Sequence, residues 1–255
     1  MQDRAMWRGI ALFLSLCATP LRADYLHPPE PDVAAFVEAN MIAVFYHEAA
    51  HALIDTLDLA VLGREEDAAD ALSAILIDQL WDEDAAADLV TENALAYRLF
   101  DAEVGEGPQV YWDSHSLDLQ RYYTLVCLFY GANPDQRAEV ARDLELPEER
   151  QESCPEEWQL AADSWGTMLA DMPPQDHLKG FRLVQPAGQD ALTRLIAAEV
   201  EAMNGEYGLP VRIDVSVESC GEANAFYDPR ARRIVLCTDY AEELARLYRA
   251  AFPGE

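Results

Sequence analysis

The sequence has few cationic residues, and their scarcity argues against one large class of functions. Lysine and arginine together number 18 against 47 aspartates and glutamates, so the formal net charge is −29. Proteins that follow a nucleic-acid backbone bind its phosphates with clusters of lysine and arginine. We therefore expect no nucleic-acid partner. An acidic surface of this kind keeps a protein soluble and attracts cationic ligands or metal ions.

Long hydrophobic runs are also missing from most of the chain. The N-terminus has a basic start and an apolar run over residues 9–21, which is too short to span a bilayer comfortably. This pattern predicts a secretory signal peptide over residues 1–23, cleaved after Ala23. A lipoprotein signal would use Cys17, but Leu16 stands where a small residue is expected. No later segment has about 18 consecutive apolar residues, so we predict an exported protein, periplasmic or secreted, without a membrane-spanning helix after cleavage.

The five cysteines lack the close Cys-x-x-Cys spacing of a cysteine-rich zinc site. One lies in the predicted signal peptide, which leaves an even number, as expected of a disulfide-bonded exported protein. Two extended segments between Cys220 and Cys237 fold back at an Asp-Pro turn midway between them, which would bring the two sulfur atoms opposite each other. We therefore predict structural disulfides between Cys220 and Cys237 and between Cys127 and Cys154.

The spacing of apolar residues predicts a mostly helical chain that ends in a small sheet. Helical periodicity covers five segments of the first two-thirds, which are about residues 32–57, 64–80, 84–102, 116–130 with Gly131 as its stop, and 156–169. A loop rich in proline and glycine follows over residues 172–190. After it we expect a helix, extended segments near residues 211–217, 223–227 and 232–237, and a closing helix. The pattern predicts an α+β fold with a small antiparallel sheet near the C-terminus.

The segment 45–55 reads Phe-Tyr-His-Glu-Ala-Ala-His-Ala-Leu-Ile-Asp and contains an HExxH motif within the first predicted helix. His47 and His51 are four residues apart, so they project from one helix face and their ring nitrogens can meet one metal ion. Zinc suits imidazole ligands best and, with three protein ligands, keeps a position open for water. Glu48 adjoins that face, where its carboxylate can take a proton from zinc-bound water.

A third ligand is available at the start of the second predicted helix. Glu66 and Asp70 are four residues apart there, so they share one helix face. Glu66 could bind the metal, while Asp70 could accept a hydrogen bond from His47 and fix its tautomer. Glu65 remains the alternative third ligand, because only the phase of the helix distinguishes it from its neighbour.

This arrangement, HExxH followed by ExxxD, resembles that of the gluzincins, the thermolysin-like zinc metallopeptidases. The two segments His-Glu-Ala-Ala-His-Ala-Leu-Ile-Asp and Gly-Arg-Glu-Glu-Asp-Ala-Ala-Asp also resemble an uncharacterised group of bacterial secreted metallopeptidases. The resemblance implies a zincin-like fold with His47, His51 and Glu66 as zinc ligands. It also implies Glu48 as the general base and Asp70 as the hydrogen-bond partner behind the ligands.

The order of the remaining segments departs from that family. Residues 224–236, Asn-Ala-Phe-Tyr-Asp-Pro-Arg-Ala-Arg-Arg-Ile-Val-Leu, resemble the hairpin whose edge strand aligns the substrate in compact zincins. In those proteins the hairpin precedes the active-site helix, whereas here it follows the motif. Either the hairpin folds back beside the helix in a permuted order, or it is an ordinary Asp-Pro hairpin in a disulfide-bonded sheet.

A donor that stabilises the oxyanion is expected in the segment 111–123. His115 is the best candidate, because a protonated imidazole about 3 Å from the oxyanion would serve, with Asp113 or Asp118 orienting the ring. The alternative is an ordinary surface histidine.

These residues predict hydrolysis of a peptide bond in a peptide or protein substrate by a zinc-bound water that Glu48 activates. Residues 24–185 would form a helical zinc-binding region, and residues 186–255 an α-β-β-α segment that completes one catalytic domain. The alternative function is that of an exported zinc-binding interaction or scaffold protein, with the same ligands and no turnover.

Overall fold

The computed structural model describes residues 30–105, 107–175, 179–184 and 190–254. The predicted signal peptide over residues 1–23 lies outside these ranges. No helix within the described ranges is both long and apolar enough to cross a bilayer.

Helices make up most of the described chain, as the apolar periodicity predicts. Their bounds are α1 Pro31–Leu57, α2 Glu65–Leu80, α3 Glu83–Val104, α4 Asp118–Ala132, α5 Pro134–Asp143, α6 Glu148–Gln151, α7 Cys154–Leu169, α8 Ala191–Glu206 and α9 Thr238–Ala251. The five helices predicted in the first two-thirds correspond to α1, α2, α3, α4 and α7. The short helices α5 and α6 were not predicted.

Helix α1 runs through the core of the molecule. Pro31 lies in its first turn, where a missing N–H costs no hydrogen bond, and Asp58 ends it in the left-handed conformation with a φ of 52°. Its buried residues surround the helix axis instead of forming one stripe, as in a helix covered on all sides. The helix packs against α2, α3, α8, α9 and the sheet. The HExxH motif therefore lies on a helix that several elements hold in place.

The strands form one small sheet, whose direction differs from the prediction. Its four strands are β1 Phe181–Leu183, β2 Ile213–Glu218, β3 Ala225–Asp228 and β4 Arg233–Cys237, in the order β1-β2-β4-β3. Strands β1, β2 and β4 run parallel to one another, and β3 pairs antiparallel with β4. The expected antiparallel sheet is thus a mixed sheet, because β4 inserts between β2 and β3 and runs in the direction of β2. Alternation along a strand indicates its buried face but not the direction of its neighbours.

Strand β1 lies within the segment that was predicted to be a loop. It has only three residues, and its partner on the sheet, β2, is about 30 residues away along the chain. Asn204 of α8 covers its other side, accepting a hydrogen bond from the N–H of Phe181 and donating one to its carbonyl, both at 2.8 Å. These long-range contacts create the strand, so its local sequence carries little signal.

Both predicted disulfides are present. Cys127 in α4 is bonded to Cys154 at the start of α7, and Cys220 is bonded to Cys237 at the end of β4. Gly131 was predicted to stop α4, but it lies inside the helix, where a Cβ atom would come within 2.2 Å of the Cys154 carbonyl oxygen. Its missing side chain therefore allows α4 and α7 to approach closely beside the disulfide. Disulfides of this kind are typical of proteins that fold in an oxidising compartment.

Candidate metal centre

His47 and His51 present their ring nitrogens to the same point beside α1. Their Nε2 atoms are 3.1 Å apart, and the side chain of His47 is almost fully buried. This closeness follows from the four-residue spacing, which stacks the two side chains on one helix face. Two neutral imidazoles at this distance can bind one metal ion.

Glu66 in the first turn of α2 completes a triangle of ligand atoms. Its Oε2 lies 3.2 Å from Nε2 of His47 and 3.1 Å from Nε2 of His51. In a tetrahedral zinc site with bonds of about 2.0–2.1 Å, neighbouring ligand atoms are about 3.3 Å apart. The three observed edges come close to that value, so the donor set fits zinc in both chemistry and size.

Glu65 takes a different position from its neighbour. Its Oε1 lies 2.8 Å from Nδ1 of His51, on the side of the ring that faces away from the triangle. The phase of α2 thus turns Glu66 towards both histidines and Glu65 towards the back of one. A carboxylate at Nδ1 favours the tautomer that leaves Nε2 free to bind a metal.

Asp70, one helical turn after Glu66, supports His47 from behind. Its Oδ1 lies 2.8 Å from Nδ1 of His47. Arg121 of α4 donates two hydrogen bonds of 2.7 Å to the same carboxylate. Burial by itself would raise the pKa of Asp70, but Arg121 and His47 hold it well below its usual range. Asp70 is therefore a fixed anion, and the sequence motifs do not reveal Arg121 because it comes from a remote helix.

The carboxylate of Glu66 is surrounded by imidazoles. His115, His47 and His51 lower its pKa far below the usual range. Burial lowers the pKa of His47, but hydrogen bonds to Asp70 and Glu66 outweigh this effect and raise it to about 9. The metal-free centre therefore holds protons between its ligand atoms, and a metal ion that binds there must displace them.

Glu48 is buried next to the triangle, with 6% of its surface exposed. Burial raises its pKa, while the nearby His47 and His51 oppose that shift. The backbone N–H of Tyr227 in β3 also approaches this carboxylate and favours its charged form. A carboxylate with a raised pKa is suited to accept and return a proton near neutral pH.

The hairpin of β3 and β4 folds back beside α1. Contacts between β3 and α1 include a hydrogen bond of 2.8 Å from the hydroxyl of Tyr227 to Asp55. Of the two arrangements that the sequence left open, the structure has the permuted one, with an edge strand beside the HExxH helix. Asn224, Ala225 and Phe226 line one wall of a cleft of about 620 Å³. His47 and His51 also line this cleft, and its volume is typical of ligand sites.

His115 lies on the rim of this cleft, in the loop before α4. Its Nε2 is 3.0 Å from Oε2 of Glu66, and its Nδ1 is 3.3 Å from Oδ1 of Asp113. Its side chain is 43% exposed. The hydrogen bond that its ring donates to Glu66 is the main reason that the pKa of His115 is raised. His115 thus contacts the ligand triangle through Glu66 and faces the cleft as a potential cation, with Asp113 as the carboxylate behind it.

Comparison with known proteins agrees with this geometry at the level of the family. Residues 23–169 and 189–253 match the model of the DUF4344 family, whose description is "Putative metallopeptidase". The chain belongs to this family. No curated protein and no solved structure matches it. Membership in DUF4344 supports a peptidase function, and the cluster of His47, His51 and Glu66 is a set of residues that can hold a metal ion.

Proposed function

We propose that this chain is a zinc-dependent peptidase of the gluzincin type. The observation that carries the proposal is the triangle of His47 Nε2, His51 Nε2 and Glu66 Oε2, with edges of 3.1–3.2 Å. Two imidazoles and one carboxylate suit zinc better than calcium or magnesium, which prefer sites made only of oxygen ligands. Three protein ligands in a tetrahedral site leave one position for water and substrate.

A zinc ion held by these residues would supply a water of lowered pKa and a positive charge beside the scissile carbonyl. Glu48 then acts as the general base, because its buried carboxylate adjoins the ligand atoms and its pKa is raised. It takes the proton from the attacking water and returns it to the leaving amine.

We propose His115 as the donor that stabilises the oxyanion. Its raised pKa favours the imidazolium form, which can donate a strong hydrogen bond. Asp113 accepts a hydrogen bond of 2.9 Å from the backbone N–H of His115, and its Oδ1 also lies 3.3 Å from Nδ1, where it restricts the ring. Asp70 has a positioning role, because it contacts His47 and not the open side of the triangle.

The cleft suggests how a peptide is held. Among the described residues, β3 is the edge strand of the sheet, and it contacts α1. An extended peptide in the cleft would pair with this edge, so that backbone hydrogen bonds fix the scissile bond against the metal centre. We therefore propose a peptide or protein as the substrate. The acidic composition supports the further proposal that nucleic acid is not a partner, and the predicted signal peptide supports the proposal of export.

The decisive experiment compares the zinc content and the peptide cleavage of the full chain with those of Glu48→Gln. We expect Glu48→Gln to bind one zinc ion, as the unaltered chain does, and to lose cleavage of a mixed peptide library by 100-fold or more. Glu38→Gln makes the same change elsewhere on α1 and should leave both properties unchanged.

Two results would contradict the proposal. Equal zinc content with no cleavage by either protein would favour the non-catalytic zinc-binding scaffold instead. Absence of stoichiometric zinc from protein purified without chelators would exclude both functions.

A further inference from the structure

A second cavity opens next to Glu48, behind the cleft. Its volume is about 200 Å³, and its walls come from α1, α2, α3, α4 and α9, from the loop before α4 and from the start of β3. The two spaces share His47, Glu48 and His115, so the cavity begins at the candidate metal centre. A dry cavity of about 150 Å³ holds a benzene ring, so this one has room for a single side chain of that size.

Two tyrosine hydroxyls line this cavity without a protein partner. Tyr97 comes from α3 and Tyr240 from α9, and neither hydroxyl makes a hydrogen bond to any described residue. Both residues are half-buried, so a group that enters the cavity can supply the hydrogen-bond partner of either hydroxyl. Burial raises the pKa of Tyr97 far above its usual range and that of Tyr240 to about 12. Both are therefore neutral phenols near neutral pH, each able to donate and to accept a hydrogen bond.

The charges at the cavity leave no place for a charged occupant. Arg121 lies in the wall together with the imidazoles of His47 and His115, and it donates two hydrogen bonds of 2.7 Å to Asp70. Its guanidinium also lies 4.7 Å from the centre of the Tyr97 ring. A carboxylate would meet Asp70 and Glu48, whereas an ammonium group would meet Arg121. An uncharged group avoids both repulsions.

Part of the wall is apolar, and the remainder includes polar side chains such as Ser73, Asn93 and Thr124. Phe100, Leu125 and Leu128 line the apolar part, and the ring of Phe100 stacks on that of Tyr240 at 6.4 Å between ring centres. An aromatic or aliphatic body is stabilised by contact with these side chains. The combination of this apolar part of the wall with polar groups and two unpartnered hydroxyls matches a side chain that is apolar along its length and polar at its end.

We propose that this cavity is the specificity pocket of the peptidase, with Tyr97 and Tyr240 as its specificity-determining residues. It takes an uncharged substrate side chain with an apolar body and a hydrogen-bonding end, such as tyrosine, next to the scissile bond. The inference rests on the proposed peptidase function, to which it adds a substrate class.

The test uses the zinc-loaded full chain and pairs of peptides that differ only in tyrosine or phenylalanine at the residues flanking the scissile bond. One additional hydrogen bond corresponds to about a tenfold preference, so we expect a kcat/KM about tenfold higher for the tyrosine peptide. The double variant Tyr97→Phe and Tyr240→Phe should reduce that ratio towards one while it still cleaves the phenylalanine peptide. Tyr123→Phe, on α4 outside the cavity, should keep the ratio of the unaltered chain. Because the ratio is measured within each protein, partial unfolding of a variant does not change it.

Three results would overturn the pocket while leaving the peptidase function intact. They are equal kcat/KM for the tyrosine and phenylalanine peptides in the unaltered chain, a kcat/KM ratio that the double variant leaves unchanged, and a stronger preference for a charged side chain. If the unaltered, zinc-loaded chain cleaves none of the peptides, the result would instead contradict the peptidase function. In that case, equilibrium binding of N-acetyl-tyrosinamide and N-acetyl-phenylalaninamide tests the cavity without turnover. We expect tighter binding of the tyrosine compound, reduced by the double variant, and equal binding of the two compounds would refute the pocket.

Discussion

The substitution Asp70→Asn separates two effects of one carboxylate. Asp70 lies 2.8 Å from Nδ1 of His47 and accepts two hydrogen bonds of 2.7 Å from Arg121. Asparagine keeps the size and an acceptor oxygen but removes the charge. The loss of a charged partner behind a metal-binding histidine lowers metal affinity by about 10–100-fold.

The second effect concerns Arg121, whose guanidinium is mostly buried. Without the Asp70 charge it remains an uncompensated cation, and breaking a buried pair from one side costs about 3–5 kcal/mol. We expect the free energy of unfolding of the metal-free protein to fall by about 3 kcal/mol, the lower end, since neither side chain is completely buried.

Two measurements distinguish the effects. Zinc affinity is obtained by competition with a chromophoric chelator, and stability by urea denaturation in the presence of EDTA. Asp67→Asn is the matched control, because Asp67 is exposed on the same helix and accepts a hydrogen bond from Ser116 and not from a histidine. Lower stability of Asp70→Asn with unchanged zinc affinity would refute a role of Asp70 behind His47.

Three further predictions concern stability and the edge strand. Burial raises the pKa of Glu199 above its ordinary value of 4.5, so the native protein loses stability as the pH rises through the folded-state pKa. Glutamine removes the charge, so Glu199→Gln should stabilise the protein more at pH 8 than at pH 5, as measured by urea denaturation. Replacing Cys127 and Cys154 by serine opens a link across 27 residues and should lower the free energy of unfolding by about 3.5 kcal/mol, whereas no change would mean that the bond does not form. Tyr227→Phe removes the hydrogen bond to Asp55 that ties β3 to α1, and it should cost about 1 kcal/mol of stability and raise KM for peptides more than it lowers kcat.

The local part of the fold follows from the sequence because its signals are local. The four-residue spacing places His47 and His51 on one helix face in any α-helix, and apolar periodicity predicts α1 within one residue of its bounds. Both disulfide pairings follow from the even number of cysteines outside the predicted signal peptide and from the Asp-Pro turn midway between Cys220 and Cys237. Helical phase also decides that Glu66, and not Glu65, turns towards both histidines, although the sequence left the two open.

The features that the sequence did not predict depend on contacts between distant segments. The direction of β4 relative to β2 is set by the way the hairpin inserts into the sheet, which residue alternation does not specify. Arg121 donates a hydrogen bond to Asp70, which is 51 residues away along the chain. Tyr97 and Tyr240 are still farther apart in sequence but interact electrostatically. No sequence motif links either pair. These contacts form the support and the proposed pocket of the site, so its chemistry is more apparent from the sequence than its selectivity.

The central claim is that one zinc ion is bound by His47, His51 and Glu66. The most direct measurement is a zinc titration of the metal-free full chain compared with that of Glu66→Ala and Glu65→Ala. We predict one zinc ion per chain, at least 100-fold weaker binding in Glu66→Ala, and a loss of no more than about 10-fold in Glu65→Ala, which removes only the partner of His51 Nδ1. Unchanged zinc affinity in Glu66→Ala, or a greater loss in Glu65→Ala, would contradict the account.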